Sequence, residues 1–315
     1  CSWREERRDA MRVAAKLGIP FLTFDLEREY KRDVADYMIR EYKAGRTPNP
    51  DVMCNKYVKF GAFYKRAHGL GADFIATGHY ARIKTNNLQP TTYNLLTAAD
   101  KAKDQSYFLW TINQKVLSHT LFPIGGYKKS EVRALAEKFG LFTSEKKDSQ
   151  GLCFIGEMDM KEFLSHYIKA SRGDVLNEKG ESIGYHYGAW FFAPGERHGF
   201  TVLKKSPHDE PLYVIAKDVS KNTITVGVQR NHSSESNLRT ITLSETNWIS
   251  GMAPVAGKKY RGRPRYRASL IAVAVKKIKP GKATLALAEK DANLAPGQSF
   301  VLYDKEVCLG GGVIG

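Results

Sequence analysis

At 315 residues the chain is long enough for two or three domains with cores of their own, and its 42% hydrophobic and 11% aromatic content excludes a disordered protein. Lysine and arginine outnumber aspartate and glutamate 49 to 33, and the formal charge of +16 favours a polyanionic partner such as nucleic acid over a merely solvated basic surface. No run of about 18 apolar residues is present, which excludes a membrane-spanning helix, and the four cysteines, at 1, 54, 153 and 308, form no C-x-x-C pair, which argues against zinc or a disulfide scaffold and fits a reducing cytoplasm.

The chain opens on Cys1 in a helical pattern, so an upstream segment is expected. Met11, Ala14 and Leu17 make one helix face that Gly18 ends, and "IPFLTF" (19–24) reads as a buried strand. Tyr30, Val34, Tyr37 and Tyr42 recur at helical spacing until Gly45 and Pro48, and another helical segment runs from about Lys56 to His68. "ADFIATG" (72–78) is a second short strand, and the sequence after it predicts a hairpin turning at Asn86–Asn87. Ser130 is placed to cap a helix lined by Val132, Leu135, Ala136 and Phe139 before Gly140. Strands alternating with helices imply an α/β fold with a parallel sheet covered on both faces.

Past about residue 166 helical periodicity fades into short β-like runs between turns, such as "LYVIAKDV", "TITVGVQR" and "SFVLYD". The expected plan is an α/β domain over 1–165, a central β-rich domain over 166–230 and a C-terminal β-barrel-like domain over 231–315, with "NHSSESN" (231–237) as the linker between the β modules.

Candidate chemistry concentrates in a few stretches. Cys54 follows "AGRTPNPDVM" at an expected helix start, where backbone N–H groups and Lys56 and Lys59 favour a thiolate; the competing reading is a small buried hydrophobe. Cys153 lies in "DSQGLCFIG" between glycines, with the same two readings. Asp51 is a general acid or base, or a helix cap. Gly78 and His79 follow a strand at the carboxyl edge where open α/β sheets bind ligands, although a lone histidine is more often structural. Lys103, Asp104 and Gln105 in "KDQSYFL" offer polar contacts, or start a helix. From Lys258 to Lys282 there are ten basic residues and no acid, interleaved with Tyr260 and Tyr266, which suits an RNA-contacting ribbon or a charged strand edge.

Taken together and in this order, "AGRTPNPDVMCNKYVKF", "ATGHYARI", "KDQSYFL", "DSQGLCFIG" and "APGQSFVLYDKEVCLGGGVI" closely resemble the tRNA-specific 2-thiouridylases of the MnmA/TrmU type, over the whole of residues 1–315. The resemblance implies a Rossmann-like ATP-pyrophosphatase domain followed by two small β-barrel-like domains, and ATP-dependent replacement of the 2-oxygen of the tRNA wobble uridine by sulfur. It implies Cys153 as persulfide carrier, Cys54 as its disulfide-forming partner and Asp51 as proton-transfer aid. It places Asn49, Pro50 and Asp51 at the target base and Gly78 at ATP. His79, Lys103, Asp104, Gln105, Arg265, Tyr266 and Gln298 match tRNA-contacting positions.

Implied partners are tRNA, ATP with Mg2+, and a sulfur donor such as a cysteine desulfurase or sulfur-relay protein, acting on a cytoplasmic monomer without a membrane. Two departures stand out. The family's first strand and "SGGxDS"-like phosphate loop are absent from this chain, and "FFAPGERHGF" (191–200) stands where the family reads close to "YTIGQRKGL". The first departure leaves a non-catalytic tRNA-binding remnant or fragment as the alternative function.

Overall fold

The computed structural model describes residues 3–86, 91–146, 160–203, 210–228, 239–288 and 294–315. Helix α1 (Trp3–Leu17) buries little beyond Ala14. The segment after it corrects the sequence expectation: residues 19–24 form no strand, and Ile19, Phe21 and Leu22 are exposed. An apolar run becomes a strand only where another strand pairs with its backbone, and none does so among the described residues.

Helix α2 (27–43) buries Val34, Met38 and Ile39 and passes through a π turn at Lys31–Ala35. Its last turn holds Glu41, whose carboxylate receives two hydrogen bonds from Arg46, at 2.5 and 2.6 Å. Helix α3 (50–69) starts a turn and a half earlier than apolar spacing indicates, because Asn49 caps it and Pro50 occupies the first helical position, where no backbone N–H is needed. Its middle, Cys54–Phe63, has π geometry.

Strand β1 (Ile75–Ala76) is followed by the hairpin β2 (Ala81–Asn86) and β3 (Thr92–Thr97), whose antiparallel register agrees with the expected hairpin; part of its turn lies outside the described residues. β4 (Thr120–Leu121) pairs in parallel with β1. Between β3 and β4 lie a 3₁₀ turn, Ser106–Leu109, and helix α4 (Gln114–Leu117), capped by Asn113. Helix α5 (Lys129–Lys138) is capped differently from expectation. Ser130 sits inside the first turn, while the Glu131 carboxylate accepts from the Lys128 backbone N–H at 2.6 Å. The anticipated apolar face is only partly covered, and Phe139 is exposed. Helix α6 (Met160–Ser165) leads out of this domain, its Leu164 packing with Ile39 and Ile168.

The central module is a five-stranded sheet of β5 (Gly173–Leu176), β6 (Ser182–His186), β7 (Phe200–Val202), β8 (Leu212–Asp218) and β9 (Thr223–Val228), in the order β7-β6-β5-β9-β8. Val175, Phe192, Val214, Ile224 and Val226 form its core. The expected linker at 231–237 lies outside the described residues.

The last module closes on itself. β10 (Arg239–Trp248), β11 (Lys259–Arg263), β12 (Ile271–Lys279), β13 (Lys282–Leu287), β14 (Ser299–Asp304) and β15 (Val307–Ile314) run in the order β10-β13-β12-β11-β14-β15, and β15 returns to β10. β15 pairs with β14 along one edge and divides the other between two strands: Val307 and Cys308 pair with β3, and residues from Gly310 onward pair with β10. The glycine run makes the switch sterically feasible. A Cβ on Gly310, whose φ is +124°, would lie 2.0 Å from the Asn247 carbonyl oxygen, and one on Gly311 2.3 Å from that of Phe300.

The β2–β3 hairpin of the first domain thereby extends the barrel sheet. One core joins the two: Cys54, Tyr107 and Trp110 share it with Val301, Tyr303 and Cys308.

Candidate nucleotide and tRNA site

Three segments carry the residues singled out by sequence. The first is the turn 46–49 and the start of α3. Asn49 Oδ1 accepts from the Val52 N–H at 3.3 Å, so the cap is Asn49 rather than Asp51, which lies half-buried in the first helical turn. Cys54 is fully buried in the shared core, within the helix and not at its first residue. Cys153 and the rest of "DSQGLCFIG" lie outside the described residues.

The second segment follows β1. Gly78 is exposed at the carboxyl end of that strand, and a side chain there would meet only Ile124, at 4.0 Å. The backbone at Gly78 is therefore open. His79 turns the other way: it is buried between the rings of Phe60 and Phe122, 5.8 and 6.0 Å away, with Nδ1 2.8 Å from Thr77 Oγ1. Burial, helped by the nearby Lys59 charge, pushes its pKa down to about 3, so the ring is neutral and packed.

That shift has a pH consequence. An unfolded histidine takes a proton near its ordinary value of 6.5 and the folded one does not, so stability is full above that value and falls as pH drops from 6.5 towards 3. The expected slope is about 1.4 kcal/mol per pH unit between pH 6 and 4. In urea titrations His79→Asn, which keeps an acceptor near Nδ1, should remove that part of the slope; an unaltered profile would contradict the assignment.

"KDQSYFL" is more deeply integrated than its polar residues indicated. Asp104 is buried, with its oxygens taken by the backbone N–H groups of Ala98 (3.1 Å) and Ser106 (3.2 Å), the Ser106 hydroxyl (3.0 Å) and Arg263 Nη1 (3.0 Å). Its side chain therefore anchors the fold, where the sequence offered a polar contact or a helix start. Gln105 accepts from the Tyr80 N–H through Oε1 at 3.0 Å, holding this segment against the one carrying Gly78, and Lys103 beside it is half-exposed.

The third segment belongs to the barrel. Gln298 donates through Nε2 to the carbonyls of Thr47 and Pro48, at 2.9 and 3.1 Å, and the Thr47 N–H returns a bond to Pro296 at 2.8 Å. Tyr266 lies against Phe108 with ring centroids 4.4 Å apart, and Arg265 next to it is exposed. Not all of the basic ribbon is free. Arg263 turns inward to Asp104 and over the Tyr303 ring, and Lys258 pairs with Asp304 at 2.7 Å.

Sequence reasoning missed Tyr107, Trp110, Arg263 and Ser299. The Tyr107 hydroxyl donates to the Ser299 carbonyl at 2.8 Å and Trp110 Nε1 to the Ser299 hydroxyl at 3.1 Å. In "SYFLW" they read as ordinary core aromatics, and a buried hydroxyl's partner 192 positions away leaves no local signal.

Comparisons with known proteins match each of the three modules. Residues 1–157 match the family model described as tRNA methyl transferase HUP domain, 161–228 the tRNA methyl transferase PRC-barrel domain, and 238–314 the aminomethyltransferase beta-barrel domain. The tRNA-specific 2-thiouridylase MnmA of Geobacillus thermodenitrificans is 42% identical over 316 residues, covering 100% of this chain and 83% of that protein. The same-named protein of Enterococcus faecalis is 42% identical with the same coverage, and that of Chromobacterium violaceum 42% identical, with 81% of its length covered. Identity at this level across all three modules shows that the chain belongs to the tRNA-specific 2-thiouridylase family.

Proposed function

We propose that this protein is a tRNA sulfurtransferase that installs 2-thiouridine at the wobble position, using ATP and a cysteine persulfide. The carrying observation is that the chain is 42% identical over its whole length to 2-thiouridylases, and it is supported by the barrel's Gln298 bonding to the turn before Asn49 and by Tyr266 packing on the core that encloses Cys54. ATP supplies adenylation of the uridine 2-oxygen, which turns a poor leaving group into AMP. The terminal sulfur of a Cys153 persulfide attacks C2 and AMP departs, leaving C2 bound through that sulfur to Cys153. The Cys54 thiolate then attacks the Cys153 sulfur; a Cys54–Cys153 disulfide forms, and the electron pair of the broken S–S bond stays on the new C2 sulfur.

Asn49, Pro50 and Asp51 receive the base, with Asp51 moving protons. Lys103, Arg265 and Tyr266 contact tRNA. His79, Asp104, Gln105 and Gln298 hold those groups in place, a role that suits their burial and bonding. Cys54 has no exposed surface, so base or persulfide binding must open its path. The protein acts as a cytoplasmic monomer served by a cysteine desulfurase or relay protein. No helix of the described residues is long and apolar enough to cross a membrane.

The test is incubation with tRNA, ATP, magnesium, a cysteine desulfurase and labelled cysteine, followed by nucleoside analysis. Labelled 2-thiouridine is the expected product. Methylated nucleoside formed from a methyl donor, with no thiolation, would favour the activity named in two of the family descriptions.

Binding gives a second check. The tRNA affinity should fall steeply with salt, and Arg265→Ala should lower the slope of log K against log salt by about 0.9, one phosphate's worth. Lys258→Ala should change it less, because Asp304 already neutralises Lys258. Identical slopes for Arg265→Ala and the parent would make the ribbon an ordinary charged edge.

A further inference from the structure

The hairpin between β12 and β13 carries charge that nothing in the fold uses. Its tip reads "KKIKPGK" (276–282), and Lys276, Lys277, Lys279 and Lys282 are all exposed. Lys279 sits directly opposite Lys282 in the strand register, and like charges facing each other across a hairpin destabilise it. None of the four has an ion pair or side-chain hydrogen bond among the described residues. Glu245, which follows Ser244 opposite Lys282, is exposed and pairs with none of them.

Local geometry gathers these lysines. From Ile271 to Val275 β12 alternates buried and half-buried positions, and the register then slips between Val275 and Lys277, so that Lys276 and Lys277 are both exposed where alternation would turn one inward. Pro280 and Gly281 close the turn, Gly281 at a φ of +68°, and the Gly281 carbonyl accepts from the Thr246 N–H of β10 at 3.2 Å, which holds the tip against the barrel. Charge on a strand can serve merely to keep an open edge from pairing. That account fails for Lys282, which has Lys279 opposite it on one side and Ser244 on the other.

Position points to the partner. Arg265 and Tyr266 lie between β11 and β12, and the lysines lie at the other end of β12. Running from Ile271 to Lys279 at about 3.3 Å per residue, the strand separates the two groups by about 25 Å. At the Arg265 end a tyrosine accompanies the charge, whereas residues 276–282 include no aromatic side chain on which an unpaired base could stack. Lysine is a flexible point charge, suited to phosphate and blind to base identity.

We infer that the β12–β13 hairpin tip is a second RNA contact, in which Lys276, Lys277, Lys279 and Lys282 bind the phosphate backbone of a paired stem belonging to the RNA that Arg265 and Tyr266 meet. The inference rests on the proposed function for the choice of RNA, a tRNA, and its test reads binding instead of turnover.

The experiment is a salt series of tRNA affinities for the full chain, joined to hydroxyl-radical footprinting of the bound tRNA. Combining Lys276→Gln, Lys277→Gln, Lys279→Gln and Lys282→Gln should lower the slope of log K against log salt by about 2 to 3.5, at about 0.9 per phosphate for roughly two to four phosphates. It should also expose one discrete run of a paired stem while protection of the anticodon loop persists. The same four positions changed to Arg keep the charge, and should keep both slope and footprint.

A glutamine variant with the parent's slope and footprint would overturn the inference, and so would equal loss of protection in loop and stem, which means general loosening. Unchanged tRNA binding with slower sulfur loading from a cysteine desulfurase would give the tip to an acidic protein partner, which also overturns it. The expected slope and footprint changes in a protein that forms no 2-thiouridine would sink the functional reading alone.

Discussion

Asp104→Ala is expected to lower the unfolding free energy by about 3–5 kcal/mol, the usual consequence of removing one member of a buried ion pair. The carboxylate has four partners, and three of them remain after the substitution as buried groups with nothing to bond: Arg263 Nη1 and the Ala98 and Ser106 N–H groups. Arg263 fares worst, because its side chain is only 15% exposed and its Nε already lacks a partner among the described residues. The pair also joins the first domain to the barrel, so the loss is felt by the whole shared core. Asp104→Asn should cost less, since its amide oxygen still accepts from backbone. Arg263→Met with Asp104→Leu, which removes both charges, should recover part of the loss. Chemical denaturation of the three variants checks the order; an Asp104→Ala protein within 1 kcal/mol of the parent, an order-of-magnitude threshold, would show that water reaches the pair.

Cys54→Ser and Cys153→Ser should each reduce 2-thiouridine formation on the order of 10³-fold or more, the scale of losing a nucleophile in covalent catalysis. The two failures should differ in kind. With labelled cysteine and a desulfurase, Cys54→Ser should still accumulate reducible label on Cys153 and stall with sulfur bound, whereas Cys153→Ser should carry none. Cys308→Ser should remain active, because Cys308 only packs in the core, its Sγ 3.8 Å from the Ser106 carbonyl oxygen. Label on Cys153→Ser equal to that on the parent would assign the persulfide elsewhere.

The helix over 27–43, the β2–β3 hairpin and the change from α/β to β texture were legible because each is written in local periodicity and turn chemistry: tyrosines and Val34 at helical spacing, a polar turn between alternating strands, Pro and Gly at the stops. The failures share a cause as well. "IPFLTF" has strand composition, but a strand depends on a neighbour, and Ser130 has the chemistry of a cap while Glu131 reaches the open N–H first. His79 and Asp104 look like polar contacts in a linear reading, and only burial reveals them as neutral packing and an internal anchor.

By itself the sequence determined the module order and the motifs that identify the family, because these depend on residue type and short-range spacing. Tertiary structure alone decided that the hairpin of the first domain joins the barrel sheet, that Gln298 holds the turn before Asn49 while Ser299 binds Tyr107, and that Cys54 is enclosed in a core shared by two modules. Those contacts link residues about two hundred or more positions apart. Which buried donor meets which acceptor follows from how strands close a barrel and where a glycine run lets one strand change partners, and no local pattern encodes that.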